Sequence, residues 1–301
     1  MLKPVNESLH NVTLQDILDH KKLSSDQINH DLTKLLEFDA TENRNNFYGN
    51  PTLYHYQLEN LLKCHRDKGK TLFDVWNDEE QRAKLISDTR KRNRGGRTAA
   101  GNIFECFRIN TGSVVMFKST TAKYIYQKYG AKKVLDPTAG WGGRMLGAWA
   151  LGIDYTGIDT NIGMVHSYYE MLTALANYPT IINTSCVKMI WDSCLDVDFS
   201  KIKYDFVLTS PPYINMEVYE HMTKWNNDEA FYVEFLLPLW NKCVDNIEEG
   251  GGKVCFNISP QMYKDAKYYG LRDCDFVEDL KQQLGQQTGK KKQDLIYGWN
   301  C

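Results

Sequence analysis

Between Val134 and Arg144 a short apolar run ends on an acid, Asp136, and passes through Pro137-Thr138-Ala139-Gly140-Trp141-Gly142-Gly143 into a helical pattern. A strand that turns through glycines into a helix opens a strand-helix-strand unit, and such units build parallel sheets. Glycines adopt backbone angles other residues resist and let a ligand lie against bare backbone, while the helix start offers unpaired N–H donors. A phosphate-binding version of this turn needs Gly-x-x-x-x-Gly-Lys-Ser/Thr or Gly-x-Gly-x-x-Gly, and the chain has neither here. A nucleotide-like ligand that puts no phosphate on the loop fits better.

The region around this loop alternates strands and helices. Lys133 to Asp136, Tyr155 to Asp159, Tyr204 to Thr209 and Lys253 to Ile258 read as strands, with helices at Met145 to Ala150 and around Phe231 to Ile247. The pattern predicts an α/β fold, a largely parallel Rossmann-like sheet with helices on both faces. Leu14 to about Lys91 is instead helical, with apolar residues at Ile17-Leu18, Ile28-Leu32-Leu35-Leu36 and Leu58-Leu61-Leu62. Ser24 followed by Gln27 predicts a capping box, and Gly49-Asn50-Pro51-Thr52 punctuates before the next helix. The basic stretch Arg90 to Arg97 then marks the expected boundary: a helical N-terminal domain or lobe with basic linker over 1–97, and a catalytic domain over 98–301.

Charged residues at 25%, hydrophobic ones at 42% and a formal net charge of -2 describe a chain without whole-molecule attraction to phosphate. Nucleic-acid contact must come from local clusters: Arg90, Lys91, Arg92, Arg94 and Arg97, then Lys290, Lys291 and Lys292, with Lys63, Arg66, Lys68 and Lys70 as a weaker third. Charge runs are commonly just solvated faces. No apolar stretch is long enough to cross a bilayer and the first residues lack the apolar core of a secretory signal, so no membrane partner and an intracellular location are expected. The eight cysteines are scattered, without Cys-x-x-Cys pairs or zinc spacing, which predicts reduced structural thiols and no metal.

Ser210-Pro211-Pro212-Tyr213 follows the apolar strand Phe206-Val207-Leu208-Thr209, at the edge where open α/β sheets bind ligands. Each proline fixes its own φ and extends the residue before it, so Ser210 and Pro211 present a hydroxyl and an unpaired carbonyl at the strand tip. A base amine is a poor nucleophile because its lone pair is delocalised into the ring; acceptors aimed at its hydrogens localise that pair. Ser210 Oγ and the Pro211 carbonyl are the candidates, and Tyr213 offers a face on which an extruded base can stack. Taken alone, the tetrapeptide also reads as a polyproline turn.

The loop from Asp136 to Gly143 resembles the first motif of the class I methyltransferases, in the Asp-Pro-x-x-Gly-x-Gly form of the amino-methyltransferases. Ser210 to Tyr213 resembles the fourth motif of the DNA amino-methyltransferases, which carries Asp, Asn or Ser first. The resemblance covers roughly Asn102 to Trp299 and implies a class I methyltransferase sheet with S-adenosyl-L-methionine as cofactor. On it, Asp136 serves the methionine ammonium directly or through water, Gly140 and Gly142 give close approach, and Thr138, Ala139 and Trp141 line the loop. Trp141 and Gly143 depart from the small hydroxyl residues commoner there. The resemblance places Asp159 on the ribose hydroxyls with Thr160 beside it, Asp192 and Ser193 at the adenine amine, and Phe117 near the methionine end. Read as residues alone, Asp159 is equally a helix cap and Asp192 an ordinary surface acid.

The activity implied is direct methyl transfer to an exocyclic amine of a flipped DNA base, without a metal or a covalent enzyme intermediate. No cysteine follows a proline, which disfavours chemistry at cytosine C5. Serine at the first position points to cytosine N4, whereas the motif order is more familiar among adenine-N6 enzymes, so both targets stay open. Two other readings stay open: an RNA base amino-methyltransferase, and a non-catalytic subunit that binds nucleic acid or a catalytic partner. The N-terminal segment is the expected place for target recognition, a protein partner or self-association.

Overall fold

The computed structural model describes residues 9–41, 46–66, 69–92, 97–111, 114–178, 186–213, 217–218, 225–248, 250–279 and 295–301. Seven strands form the main sheet: β1 Lys133–Asp136, β2 Asp154–Asp159, β3 Val187–Trp191, β4 Phe206–Thr209, β5 Lys253–Ile258, β6 Phe276–Asp279 and β7 Leu295–Asn300. They lie in the order β3-β2-β1-β4-β5-β7-β6, with β1 to β5 parallel and β7 antiparallel to both β5 and β6. The expected α/β sheet is therefore present, and its carboxyl edge gathers the ends of β1, β2, β3 and β4.

Successive strand residues point to opposite faces, and both faces are buried. Val134, Tyr155, Phe206, Leu208 and Cys255 face one hydrophobic cluster, while Leu135, Ile158, Val207, Val254 and Phe256 face the other. Such double burial explains why these strands read as continuous apolar runs.

Eleven α-helices of six or more residues accompany the sheet among the described residues: α1 Leu14–Asp19, α2 Ser25–Glu37, α3 Asn50–Leu62, α4 Leu72–Asn77, α5 Glu79–Arg92, α6 Ala99–Thr111, α7 Ser119–Tyr129, α8 Gly143–Trp149, α9 Val165–Ala176, α10 Leu237–Asp245 and α11 Pro260–Tyr268. The predicted capping box is present at α2, where Ser24 Oγ accepts from Gln27 N and Gln27 Oε1 accepts from Ser24 N at 2.9 Å. The strand expected from Tyr204 starts at Phe206, and the buried Tyr204 hydroxyl donates to the Cys243 carbonyl at 2.9 Å instead. The helix expected from Phe231 begins with an α turn at Asp228–Ala230 and passes through a π turn, Phe231–Leu236, into α10. Pro238 brings no N–H to close a regular turn there.

The helical N-terminal segment divides its packing. Leu32, Leu35, Leu53 and Leu61 of α2 and α3 join the cluster on one sheet face with Val134, Met145 and Tyr168. Ile17, Leu58, Leu72, Leu85, Ile103 and Phe104 form a cluster of their own. Helix α6 thus packs with the N-terminal helices although it follows the basic stretch in sequence. Among the described residues no helix is long and apolar enough to cross a membrane.

A buried ammonium ties the two parts. Lys123 Nζ, on α7, donates to the carbonyls of Leu35, Leu36 and Phe38 at 2.9, 2.8 and 2.9 Å, closing the carboxyl end of α2. These carbonyls have no partner within the helix, and a cation suits that end of the helix dipole. Replacing Lys123 by Met keeps the apolar stem but strands the acceptors. We expect a loss of about 1–3 kcal/mol, measured by chemical denaturation.

Candidate active site

The glycine loop is shaped by what surrounds it. Gly142, at φ 89°, caps the start of α8 in a conformation side chains resist. At Gly143 a Cβ would lie 1.8 Å from the Phe117 carbonyl oxygen, so the chain before α7 approaches α8 only because that side chain is absent. Phe117 itself lies in an unpaired segment leading into α7, not in a strand.

Asp136 ends β1 and is fully buried. Its Oδ2 accepts from Arg144 Nε at 2.7 Å and from the Tyr155 hydroxyl at 2.7 Å, while Oδ1 is buried without a partner among the described residues. Arg144 also donates to the Thr138 carbonyl at 2.5 Å and stands 5.2 Å above the Phe117 ring. Burial works against the Arg144 charge, but Asp136 outweighs it and holds that charge more firmly than usual. Burial, followed by the neighbouring carboxylates, pushes the Tyr155 and Tyr168 hydroxyls well up, so both remain donors. Tyr168 uses its proton on the Gly140 carbonyl at 2.7 Å.

Asp159 ends β2. Its Oδ2 accepts from Gly140 N at 2.8 Å and its Oδ1 from Asn161 N at 2.9 Å. Burial raises its carboxyl pKa, and the two amide donors only partly oppose this. Each oxygen keeps a second lone pair. Thr160 beside it is exposed. Asp192 follows β3, also exposed, and accepts from Ser193 N at 2.8 Å, while Ser193 Oγ accepts from Leu195 N at 3.2 Å. The three acids therefore stand at the ends of neighbouring strands.

The tetrapeptide leaves β4 between β1 and β5. Thr209, fully buried, meets Thr138 of the glycine loop hydroxyl to hydroxyl at 2.6 Å. Ser210 Oγ accepts from Asn257 Nδ2, at the end region of β5, at 2.7 Å. Pro211 is buried, and Ser210, Pro212 and Tyr213 are half-buried. Tyr213 and Trp225 pack against the second sheet-face cluster, where the Trp225 ring lies 4.9 Å from Phe231. Tyr219 and His221, farther along from the tetrapeptide, lie outside the described residues.

Of the basic residues, Arg90, Lys91 and Arg92 form the last turn of α5 and are exposed. Arg90 donates to His10, Lys91 pairs with Asp88 at 3.6 Å, Arg92 donates to Asn110 at 3.0 Å and Arg97 pairs with Glu105 at 3.7 Å. Arg94, Lys68 and Lys290 to Lys292 lie outside the described residues. The weaker third cluster has the closer link to the tetrapeptide. His65–Arg66, just past α3, pairs antiparallel with Glu217–Val218, a few residues beyond Tyr213.

Arg144, Tyr155, Tyr168 and Asn257 were not singled out from sequence. Only Arg144 left a signal there, as the opposite charge one loop beyond Asp136.

The sheet is Rossmann-like in order, with one antiparallel strand among the seven. Among solved structures, the chain is similar to TrmN from Thermus thermophilus, at 15% identity and a TM-score of 0.43, over 60% of this chain and 48% of that one. It is also similar to an rRNA methylase from Streptococcus thermophilus, at 13% identity and TM-score 0.40, over 62% and 97% of the two chains. A third is an RNA methyltransferase from Salinibacter ruber in complex with S-adenosyl-L-homocysteine, at 15% and 0.39, over 62% and 93%. The chain thus spans about half the length of TrmN, and these likenesses concern the fold alone. No family model matches the chain, and no curated protein does.

Removing Arg144 leaves Asp136 as an uncompensated buried charge. Arg144→Met is expected to cost about 3–5 kcal/mol in chemical denaturation, whereas replacing the exposed Arg92 by Met stays within about 0.5 kcal/mol.

Proposed function

We propose that the chain methylates an exocyclic amino nitrogen of a DNA base, cytosine N4 or adenine N6, using S-adenosyl-L-methionine. The observation that carries this reading is the junction of the two motifs: the Thr138–Thr209 contact at 2.6 Å holds the glycine loop against the base of the tetrapeptide. A donor on the loop and an amine at Ser210 would then lie side by side at one sheet edge.

The residues suit the cofactor. Asp159 offers its remaining lone pairs to ribose hydroxyls, Gly140 offers bare backbone, and the unpartnered Asp136 Oδ1 supplies negative charge for an ammonium reached through water. Asp192, exposed after β3 and beside Ser193, would accept from an adenine amine. Bound there, the cofactor supplies an electrophilic methyl group on a sulfonium. Ser210 Oγ and the Pro211 carbonyl accept the hydrogens of the target amine and direct its lone pair outwards. Tyr213 supports the face of the extruded base. Ser210 and the Pro211 carbonyl would hold the amine in place during transfer, and its surplus proton would pass to solvent water.

The helical segment would meet the nucleic acid through Arg66, Lys63 and Lys70 beside the ribbon to Glu217–Val218, with Arg90 to Arg97 and Lys290 to Lys292 as further phosphate contacts.

Incubation with the cofactor and unmethylated genomic DNA, followed by mass spectrometry of the nucleosides, tests the reading. N4-methylcytosine or N6-methyladenine is expected. Methylation of structured RNA alone would move the substrate to RNA, and transfer to neither would overturn the reading. Ser210→Ala is expected to slow transfer about 10²–10³-fold while cofactor affinity in calorimetry stays unchanged.

Asp159 gives a pH dependence. Its ionised form accepts the ribose hydroxyls, and burial raises its pKa above the ordinary carboxylate value. Cofactor affinity should therefore be full at neutral pH and fall as pH drops through that raised pKa. Asp159→Asn should bind weakly and show a flat profile over the same range in calorimetry.

A further inference from the structure

We infer that Asn257 is a positioning residue for Ser210, an inference that rests on the amine-transfer reading above. The register places Thr209 of β4 opposite Phe256 of β5, so the next residue of each strand, Ser210 and Asn257, emerge together at the carboxyl edge. Asn257 is buried, at 7% exposure, and its Nδ2 donates to Ser210 Oγ at 2.7 Å. Among the described residues its Oδ1 is buried without a partner.

That asymmetry carries the inference. A buried carboxamide kept for packing would have both ends bonded, because an orphaned buried acceptor is destabilising. Asn257 makes its side-chain bond to the one hydroxyl whose direction matters for the chemistry. A serine hydroxyl rotates freely unless a partner fixes it. With one Oγ lone pair filled by Asn257, the other lone pair and the proton turn towards the open side, where the amine arrives. The fixed hydroxyl costs no reorganisation when charge develops.

The test is a double-substitution cycle on single-turnover methyl transfer, with wild type, Asn257→Ala, Ser210→Ala and the pair. Asn257→Ala is expected to slow transfer about tenfold, with cofactor affinity and melting temperature close to wild type. In the Ser210→Ala background the same change should add nothing, because the hydroxyl it orients is gone. Asn257→Asp keeps the shape and guards against misfolding: its carboxylate has no N–H for Ser210, so transfer should be slow at neutral pH and recover as the acid is protonated. A wild-type rate for Asn257→Ala or Asn257→Asp, or equal slowing with and without Ser210, would overturn the positioning role alone. A wild-type protein that methylates no nucleic acid would overturn the amine-transfer reading and this inference with it.

Discussion

The buried pair of Asp136 and Arg144 governs the geometry of the site. Placing two charges at 0% and 4% exposure is costly, and it is offset only where hydrogen bonds complete the pair. Here they do: Tyr155 donates to the same carboxylate oxygen, and the guanidinium continues to the Thr138 carbonyl. Arg144 lies on α8 and Asp136 on β1, so the pair clamps both ends of the glycine loop. The loop's shape is then set by ionic contacts across it as well as by glycine freedom.

From this clamp the contacts run sideways along the sheet edge. Gly140 is held on one side by Asp159 through its N–H and by Tyr168 through its carbonyl. Thr138, whose carbonyl Arg144 grips, turns its hydroxyl to Thr209. One strand further on, Asn257 meets Ser210. The ends of β2, β1, β4 and β5 are thus linked by short polar contacts in spatial order, although in sequence they lie far apart. Parallel pairing makes this possible, because it brings every carboxyl end to one edge.

What was legible in the sequence was local. Asp136 to Gly143, the capping box at Ser24 and the strand Lys253 to Ile258 are each specified by neighbours a few residues away, and each appears at or near its expected bounds. The partners of Asp136 and Ser210 were not legible. Tyr155, Tyr168 and Asn257 look like ordinary strand or helix residues until the sheet order places them. The allotment of α6 followed the same rule. Composition marked a break at Arg90 to Arg97, but Ile103, Phe104 and Phe107 carry apolar surface that is buried with α1 and α5, not against the sheet.

The N-terminal helices are built into the same edge. Leu53 of α3 would stand 3.6 Å from a Cβ on Gly142 and 3.5 Å from one on Gly143, so α3 forms a wall of the glycine loop. Lys123 fastens α2 to α7, and Phe117, in the segment leading into α7, closes over Gly143. The antiparallel ribbon of His65–Arg66 with Glu217–Val218 then joins the end of α3 to the segment beyond the tetrapeptide. A helical segment with those three attachments shapes the loop and the tetrapeptide from the same scaffold. A change in how it packs would reach both motifs at once through α3.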